Sequence, residues 1–454
     1  LLEASTISNL TIVLAIIVAI YVLKTNDEFP ILPLLFFNSS GLQRYFLTAE
    51  SKTWTIVAYS KGVNFFTMNI DYANQALNLF FLGTALFILS YIFFATIIKS
   101  KAKIIDNQAL FTKFFTTKKL IILRLFVIFL VVNSFTGVGM QYAAGAGASI
   151  ASGMSYFLFF QFAVGGLILL MYLSFKSMTF KKQGLAKLVF ALIILYAATI
   201  SYNPQARFQF LSWIIALGVI IVKDKPISQK LRYAVVFGPP VLLTFSIAGL
   251  ARTPGALEKP FEEQIEIAIE RLTSAEDQNM LDGFMMVLQV YPYHLDYQYG
   301  FQHFEILLRP IPRLLWAGKP VGGYANKLGL NENMGGQTVG ISETIYGTFY
   351  GEAGITGVVI FSILYGYIFV KLFRRGEKYN SDMRYLLKGM VFAFLLPLLR
   401  GGDLAGIVAF AGMSYWPVFI FLRQYNGFLR KEKRKQQTKI IQQQTSQQVQ
   451  LATP

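Results

Sequence analysis

The chain has no cysteine. That excludes disulfides, thiolate metal sites and a cysteine nucleophile. It has two histidines, His294 and His303, too few for a multi-histidine zinc or haem centre. No metal or other cofactor is expected. Charge is also scarce: 14% of the 454 residues are Asp, Glu, Lys or Arg, against roughly 25% in a typical soluble domain. No internal repeat of solenoid or transporter type is visible. The first apolar run, Ile7 to Leu23, lacks a basic flank before it and a small-residue cleavage site after it, so no cleavable signal peptide is expected.

What the chain does have is apolar sequence, 54% of it. A spanning helix needs about 20 mostly apolar residues. Ten runs meet or approach that length, near 7–23, 72–97, 120–136, 150–175, 185–201, 208–222, 232–251, 346–370, 384–400 and 404–422. An eleventh, near 29–47, is short and contains Pro30, Pro33 and Arg44. The expected fold is all-α: a polytopic membrane protein of about 10–11 transmembrane helices with one large external loop containing short helices.

The net charge is +17. Nucleic acid binding does not explain it, because the cations cluster between apolar segments and form no single basic domain. Most of the 41 lysines and arginines fall at 99–119, 176–187, 223–232 and 371–388, and in the tail RQYNGFLRKEKRKQQTK. The positive-inside rule makes these regions cytoplasmic. With eleven spans the N-terminus is outside, and so is the long segment 252–345. The expected organisation is an N-terminal transmembrane bundle (1–251), a large periplasmic loop (252–345), C-terminal transmembrane helices (346–422) and a basic, glutamine-rich cytoplasmic tail (423–454). The tail after Lys439 reads as low-complexity sequence without chemistry.

Two helices are predicted within the loop. PFEEQIEIAIERL has Phe261, Ile265, Ala268 and Leu272 on one stripe, with the glutamates largely elsewhere. SAEDQNMLDGFMMVLQVYP opens on a capping-box pattern, Ser274 to Asp277, and carries Leu281, Phe284, Met285 and Leu288 along one face. After them LLRPIPRLLWAGKP packs three cations, three further prolines and Trp316 into 307–320. The prolines forbid a continuous helix. They also lower the entropy cost of presenting Arg309, Arg313 and Lys319 together. Arginine matches phosphate oxygens bidentately, so a lipid-linked phosphate or pyrophosphate is the expected ligand at that depth. The bland alternative for each cation is an interface anchor that snorkels to headgroups. Arg207, Arg252, Arg400 and Asp403 sit at helix ends on the same side; for Arg400 and Asp403 a mutual salt bridge in the LLRGGDL turn is the plain reading. Glu343, Glu352, Asp403, His294 and His303 are candidates for a general base.

These residues also carry a family resemblance. IPRLLWAGKP, a Gly/Asn-rich stretch, GISETIYGTFYGEAGITGVV and LLRGGDL together resemble the Wzy-type O-antigen and oligosaccharide repeat-unit polymerases. The match covers roughly 280–410, and the first 200 residues share only a polytopic character. The Phe349-Tyr350-Gly351 step is one residue longer than the family pattern, and Gly402 is an extra residue in the late turn. The resemblance implies a GT-C-like membrane glycosyltransferase of the bacterial inner membrane, working on lipopolysaccharide-type glycans. It would move a growing glycan from undecaprenyl pyrophosphate to the non-reducing end of an incoming lipid-linked repeat unit, on the periplasmic face. A chain-length regulator protein is a possible partner on that reading. Arg313 and Lys319 would carry over from the first motif, Glu343 from the second and Arg400 from the late turn. Arg207, Arg252, Arg309, Arg313, Lys319 and Arg400 would then bind pyrophosphate, with Glu343 and Asp403 as catalytic carboxylates. An O-antigen ligase, or a flippase for the same lipid-linked oligosaccharide, is the alternative.

Overall fold

The computed structural model describes residues 1–51, 67–98, 106–146, 157–177, 188, 191–192, 195, 207–250, 255–273, 278–311, 315–316, 318–320, 322–328 and 342–452. Its elements are α1 (Ala4–Thr25), α2 (Ile31–Phe37), a π-turn (Asn38–Gln43), α3 (Arg44–Ser51), α4 (Ile70–Ile97), α5 (Gln108–Ala146), α6 (Phe157–Ser177), α7 (Arg207–Ile221), α8 (Ile227–Gly249), α9 (Phe261–Thr273), α10 (Met280–Val290), α11 (Phe301–Leu308), α12 (Tyr324–Lys327), α13 (Thr344–Gly376), α14 (Ser381–Arg400) and α15 (Leu404–Ala452). No strand occurs among the described residues.

Among the described residues four helices are long and apolar enough to cross a membrane: Ala4–Thr25, Ile70–Ile97, Thr344–Gly376 and Leu404–Gln447. They carry the expected runs at 7–23, 72–97, 346–370 and 404–422. Other expected runs also fall inside helices. The run at 120–136 lies within α5, 208–222 within α7, 384–400 within α14, and 232–251 largely within α8, which holds Pro239 and Pro240. Most of 185–201 lies outside the described residues. The 29–47 run is helical but broken in pitch. A π-turn there joins two short helices, the kind of insertion that re-aims side chains at functional positions.

The chain folds as two compact units that interleave in sequence. One unit holds 1–100, 202–374 and 388–412; the other holds 101–201, 375–387 and 413–454. In the second, α5 packs along α6. Asp382 at the start of α14 accepts from Lys176 at 2.9 Å, and Asn380 caps that helix by accepting from the Met383 N–H.

The first unit holds the candidate site residues. At one end of its long helices Phe29 is fully buried against the rings of Phe87, Tyr91, Phe369, Phe373 and Phe392. Two residues before it, Asp27 accepts hydrogen bonds from the Tyr21 and Tyr91 hydroxyls. Lys388 reaches both Asp27 and Glu28, and Lys230 reaches Glu28. At the opposite end α10 is buried along its whole length, Met280 to Val290. The helix expected to carry one apolar face is thus buried on every face, packed on α4 and the π-turn. Its one carboxylate explains how that is tolerated. Asp282 pairs bidentately with Arg44, Nε at 3.0 Å and Nη2 at 2.7 Å, with both side chains out of solvent. The Ser274–Asp277 capping box lies outside the described residues, and α10 starts after Asn279 without a side-chain cap.

Candidate functional site

Glycine brings three segments together around Glu343. A Cβ on Gly283 of α10 would collide with the Ser342 carbonyl. A Cβ on Gly401 would collide with the carbonyl of Thr344, and Gly401 has φ +75°, a conformation that glycine adopts without strain. A Cβ on Gly347 would press on the Glu343 side chain. So α10, the start of α13 and the turn after α14 close on one carboxylate at backbone distance. Thr344 itself has φ +64°, a strained value for a β-branched residue. Its hydroxyl accepts from the Gly347 N–H at 3.2 Å, which caps the helix that begins there.

Glu343 is 2% exposed. Oε1 accepts from the Thr348 hydroxyl at 3.3 Å, while Oε2 is buried with no hydrogen-bond partner. Burial drives its pKa up to about 8; its own backbone N–H and the Thr348 hydroxyl oppose that rise, the negative charge of Asp403 adds to it, and the Gly402 backbone N–H opposes it least. The charge of Glu343 reaches two buried phenols. Tyr291 and Tyr324 are both pushed above the ordinary tyrosine value, by burial first and by Glu343 second. A carboxyl in this state takes up a proton near neutrality, the property a general base needs.

Cations stand beside it. Arg400 donates through Nε to the hydroxyl of Ser342, the residue before Glu343, at 2.8 Å. Arg309 pairs with Asp403, Nη2 to Oδ2 at 2.7 Å. The plain expectation of an Arg400–Asp403 bridge therefore gives way to Arg309–Asp403. The other Asp403 oxygen accepts from the Gly406 N–H at 2.9 Å and caps α15. With one oxygen on Arg309 and the other on a helix terminus, Asp403 is arranged as an anchor, not as an open base. Gly322 and Gly406 both lie so close to it that a Cβ would strike its carboxylate.

Lys319 donates to the carbonyls of Arg309 and Ile311 at 2.6 and 2.7 Å. It folds the proline segment back onto the end of α11. Glu305, Leu308, Arg309, Lys319, Pro320, Gly322 and Ala405 line a small cleft there. Glu305 is buried, which raises its pKa, and Lys327 opposes that rise from 3.4 Å.

Of the expected site residues the structure brings together Glu343, Arg400, Asp403, Arg309 and Lys319. Arg207 opens α7, and Arg252 and Arg313 lie outside the described residues. Glu352 and His303 form a second pair, Oε1 to Nδ1 at 2.7 Å. They meet where α13 breaks at Ala353 and Gly354. The break frees the carbonyls of Gly351 and Glu352, which accept from the Gln298 and Tyr299 N–H groups. The Glu352 carboxylate also accepts from the Gly300 N–H. Glu305, Lys327 and the Arg44–Asp282 pair are absent from the residues singled out by sequence. Glu305 had a signal: Gln302, Glu305 and Arg309 recur at i, i+3 and i+7 in an otherwise apolar stretch.

Compared with protein-family models, curated proteins and solved structures, the chain has no match. The site must speak for itself. Among the described residues no group of three or more His, Asp or Glu is placed to hold a metal. The chemistry the arrangement offers is a proton-accepting carboxylate beside arginine and lysine donors, at one end of apolar helices.

Proposed function

We propose that this chain is a membrane glycosyltransferase that polymerises lipid-linked polysaccharide repeat units. It transfers the growing glycan from undecaprenyl pyrophosphate to the non-reducing end of an incoming lipid-linked repeat unit, on the periplasmic face of a bacterial inner membrane. The observation that carries this reading is Glu343: a buried carboxylate with one unpartnered oxygen, flanked by Arg400, Arg309 and Asp403 at one end of the apolar helices.

In the step proposed, an acceptor hydroxyl attacks the anomeric carbon of the donor. The bond from that carbon to the pyrophosphate oxygen breaks, and the lipid pyrophosphate leaves with the electron pair. Glu343 takes the hydroxyl proton. Arg400, Arg309 and Lys319, with Arg207, Arg252 and Arg313, supply preorganised positive charge for the leaving group. Asp403 holds Arg309 in place and is a positioning residue. Incubation of the purified protein with lipid-linked repeat units, read as a glycan ladder on a gel, tests the reading. Ladders that are lost in Arg313→Ala, and largely lost in Arg313→Lys, support a bidentate phosphate clamp. Full ladders with both variants contradict it.

A second reading has one observation in its favour. Glu352 and His303 place ionisable groups beside a broken helix within a candidate span, a feature of transporters. Translocation of a lipid-linked oligosaccharide across vesicles, with no elongation of the glycan, would select that flippase reading.

A further inference from the structure

The short helix α11 is inside out. Gln302 and Glu305 are each 6% exposed. Phe304 and Leu307 on the other face are 51% and 71% exposed, and Phe301 and Ile311 continue that stripe. Three side chains on the inward side are paired: His303 with Glu352, Glu305 with Lys327 and Arg309 with Asp403. A helix in water places its apolar stripe inward. This one turns two ion pairs and a histidine–glutamate hydrogen bond toward the protein and phenylalanine and leucine away from it.

Its depth is fixed by ring contacts. His303 stacks on Phe361 with centroids 4.3 Å apart and planes 8° apart, and its edge meets Tyr365 at 5.8 Å. Both partners belong to the second half of α13, which has no charged residue from Ile355 to Val370. At 1.5 Å per residue Phe361 lies about 10 Å, and Tyr365 about 16 Å, past the Gly354 break. The helix therefore lies alongside the apolar part of a span, and not above it. Ile355 and Ile360 of that span are themselves more than half exposed, so the outward stripe of α11 continues an apolar surface that already belongs to a candidate span.

We infer that α11 is a membrane-embedded helix whose Phe301, Phe304, Leu307 and Ile311 face lipid acyl chains, forming the wall between the bilayer and the Glu305–Arg309 cleft. Helix geometry pairs much of its backbone, the Phe301 N–H reaches the Gln298 carbonyl, and Lys319 donates to the carbonyls of Arg309 and Ile311 at its end, as non-spanning backbone at that depth requires. Residues 301–311 then belong to the membrane domain and not to an aqueous loop.

The cysteine-free chain makes the test direct. Phe304→Cys and Leu307→Cys, each carrying a nitroxide, are placed in phosphatidylcholine nanodiscs, with Ile360→Cys as the span reference. Collision with oxygen and with a water-soluble nickel chelate is measured at each site. The inference expects oxygen to dominate over nickel at all three positions. Nickel dominating at 304 and 307 would place the stripe in water and overturn it. Low collision with both reagents there, with Ile360 oxygen-rich, would mean that protein or a second copy covers the stripe, and would overturn it equally. Both substitutions are on the exposed face, and two sites guard against one local distortion.

Discussion

The two ends of the first unit's long helices handle charge in opposite ways. At the Phe29 end, Asp27 and Glu28 receive two tyrosine hydroxyls and two lysines, and the cluster sits on an aromatic cage. At the Glu343 end, some carboxylates are equally well paired, as Asp282 with Arg44 and Asp403 with Arg309. Glu343 is not, since one of its oxygens is buried and unpartnered. A satisfied charge cluster holds helices in register; an unsatisfied buried carboxylate destabilises the fold and persists where it serves chemistry. The difference separates scaffold from site more sharply than the number of charges does.

That contrast can be broken by substitution. The largest stability loss is expected for Arg44→Ala, which leaves Asp282 buried and uncompensated, at a cost of about 3–5 kcal/mol; thermal unfolding in detergent reads it, and a midpoint close to wild type would remove Asp282 from the scaffold. Glu343→Gln should do the reverse. The folded carboxyl ionises near pH 8 and the unfolded one near its ordinary 4.5. The folded state then binds more protons across that window, so wild-type stability falls as pH rises from 4.5 to 8, by about 1.4 kcal/mol for each pH step. The glutamine variant lacks that contribution, and the stability gap between the two proteins should widen in its favour toward pH 8. An unchanging gap would mean the carboxyl is not held protonated. Gly401→Ala comes next, since it forces a side chain at φ +75° into the Thr344 carbonyl, worth about 1–3 kcal/mol in backbone strain alone. The smallest effect is expected from the partly exposed Arg309–Asp403 pair. A double-mutant cycle to alanine should return a coupling of about 1 kcal/mol or less.

How much of this was legible beforehand follows from what periodicity and charge can encode. The four long apolar helices were readable because unbroken apolar length is a local property. Glu343, Arg309, Lys319, Arg400 and Asp403 were readable as candidates because each is a charge in apolar or proline-fixed surroundings. Their pairing was not. Asp403 chooses Arg309 over the nearby Arg400, because the Gly401-Gly402 turn carries Arg400 toward Ser342. Asp282 and Arg44 meet across most of the first unit, and no local pattern announces it. The burial of α10 on every face was hidden for a related reason. An apolar stripe marks the face that must be buried, yet it does not forbid burial of the other face when Asp282 has a partner.

The account stands most directly on the pH dependence of ladder formation by wild type and by Glu343→Gln, measured alongside binding of the lipid-linked donor. It predicts a wild-type rate that rises through about pH 8, where the Glu343 carboxyl loses its proton. It predicts a variant rate lower by about 10²–10⁴-fold, flat through the same pH range, with donor binding intact. A variant that keeps near-normal turnover, or that keeps the same rise near pH 8, would contradict the assignment of Glu343 as the base.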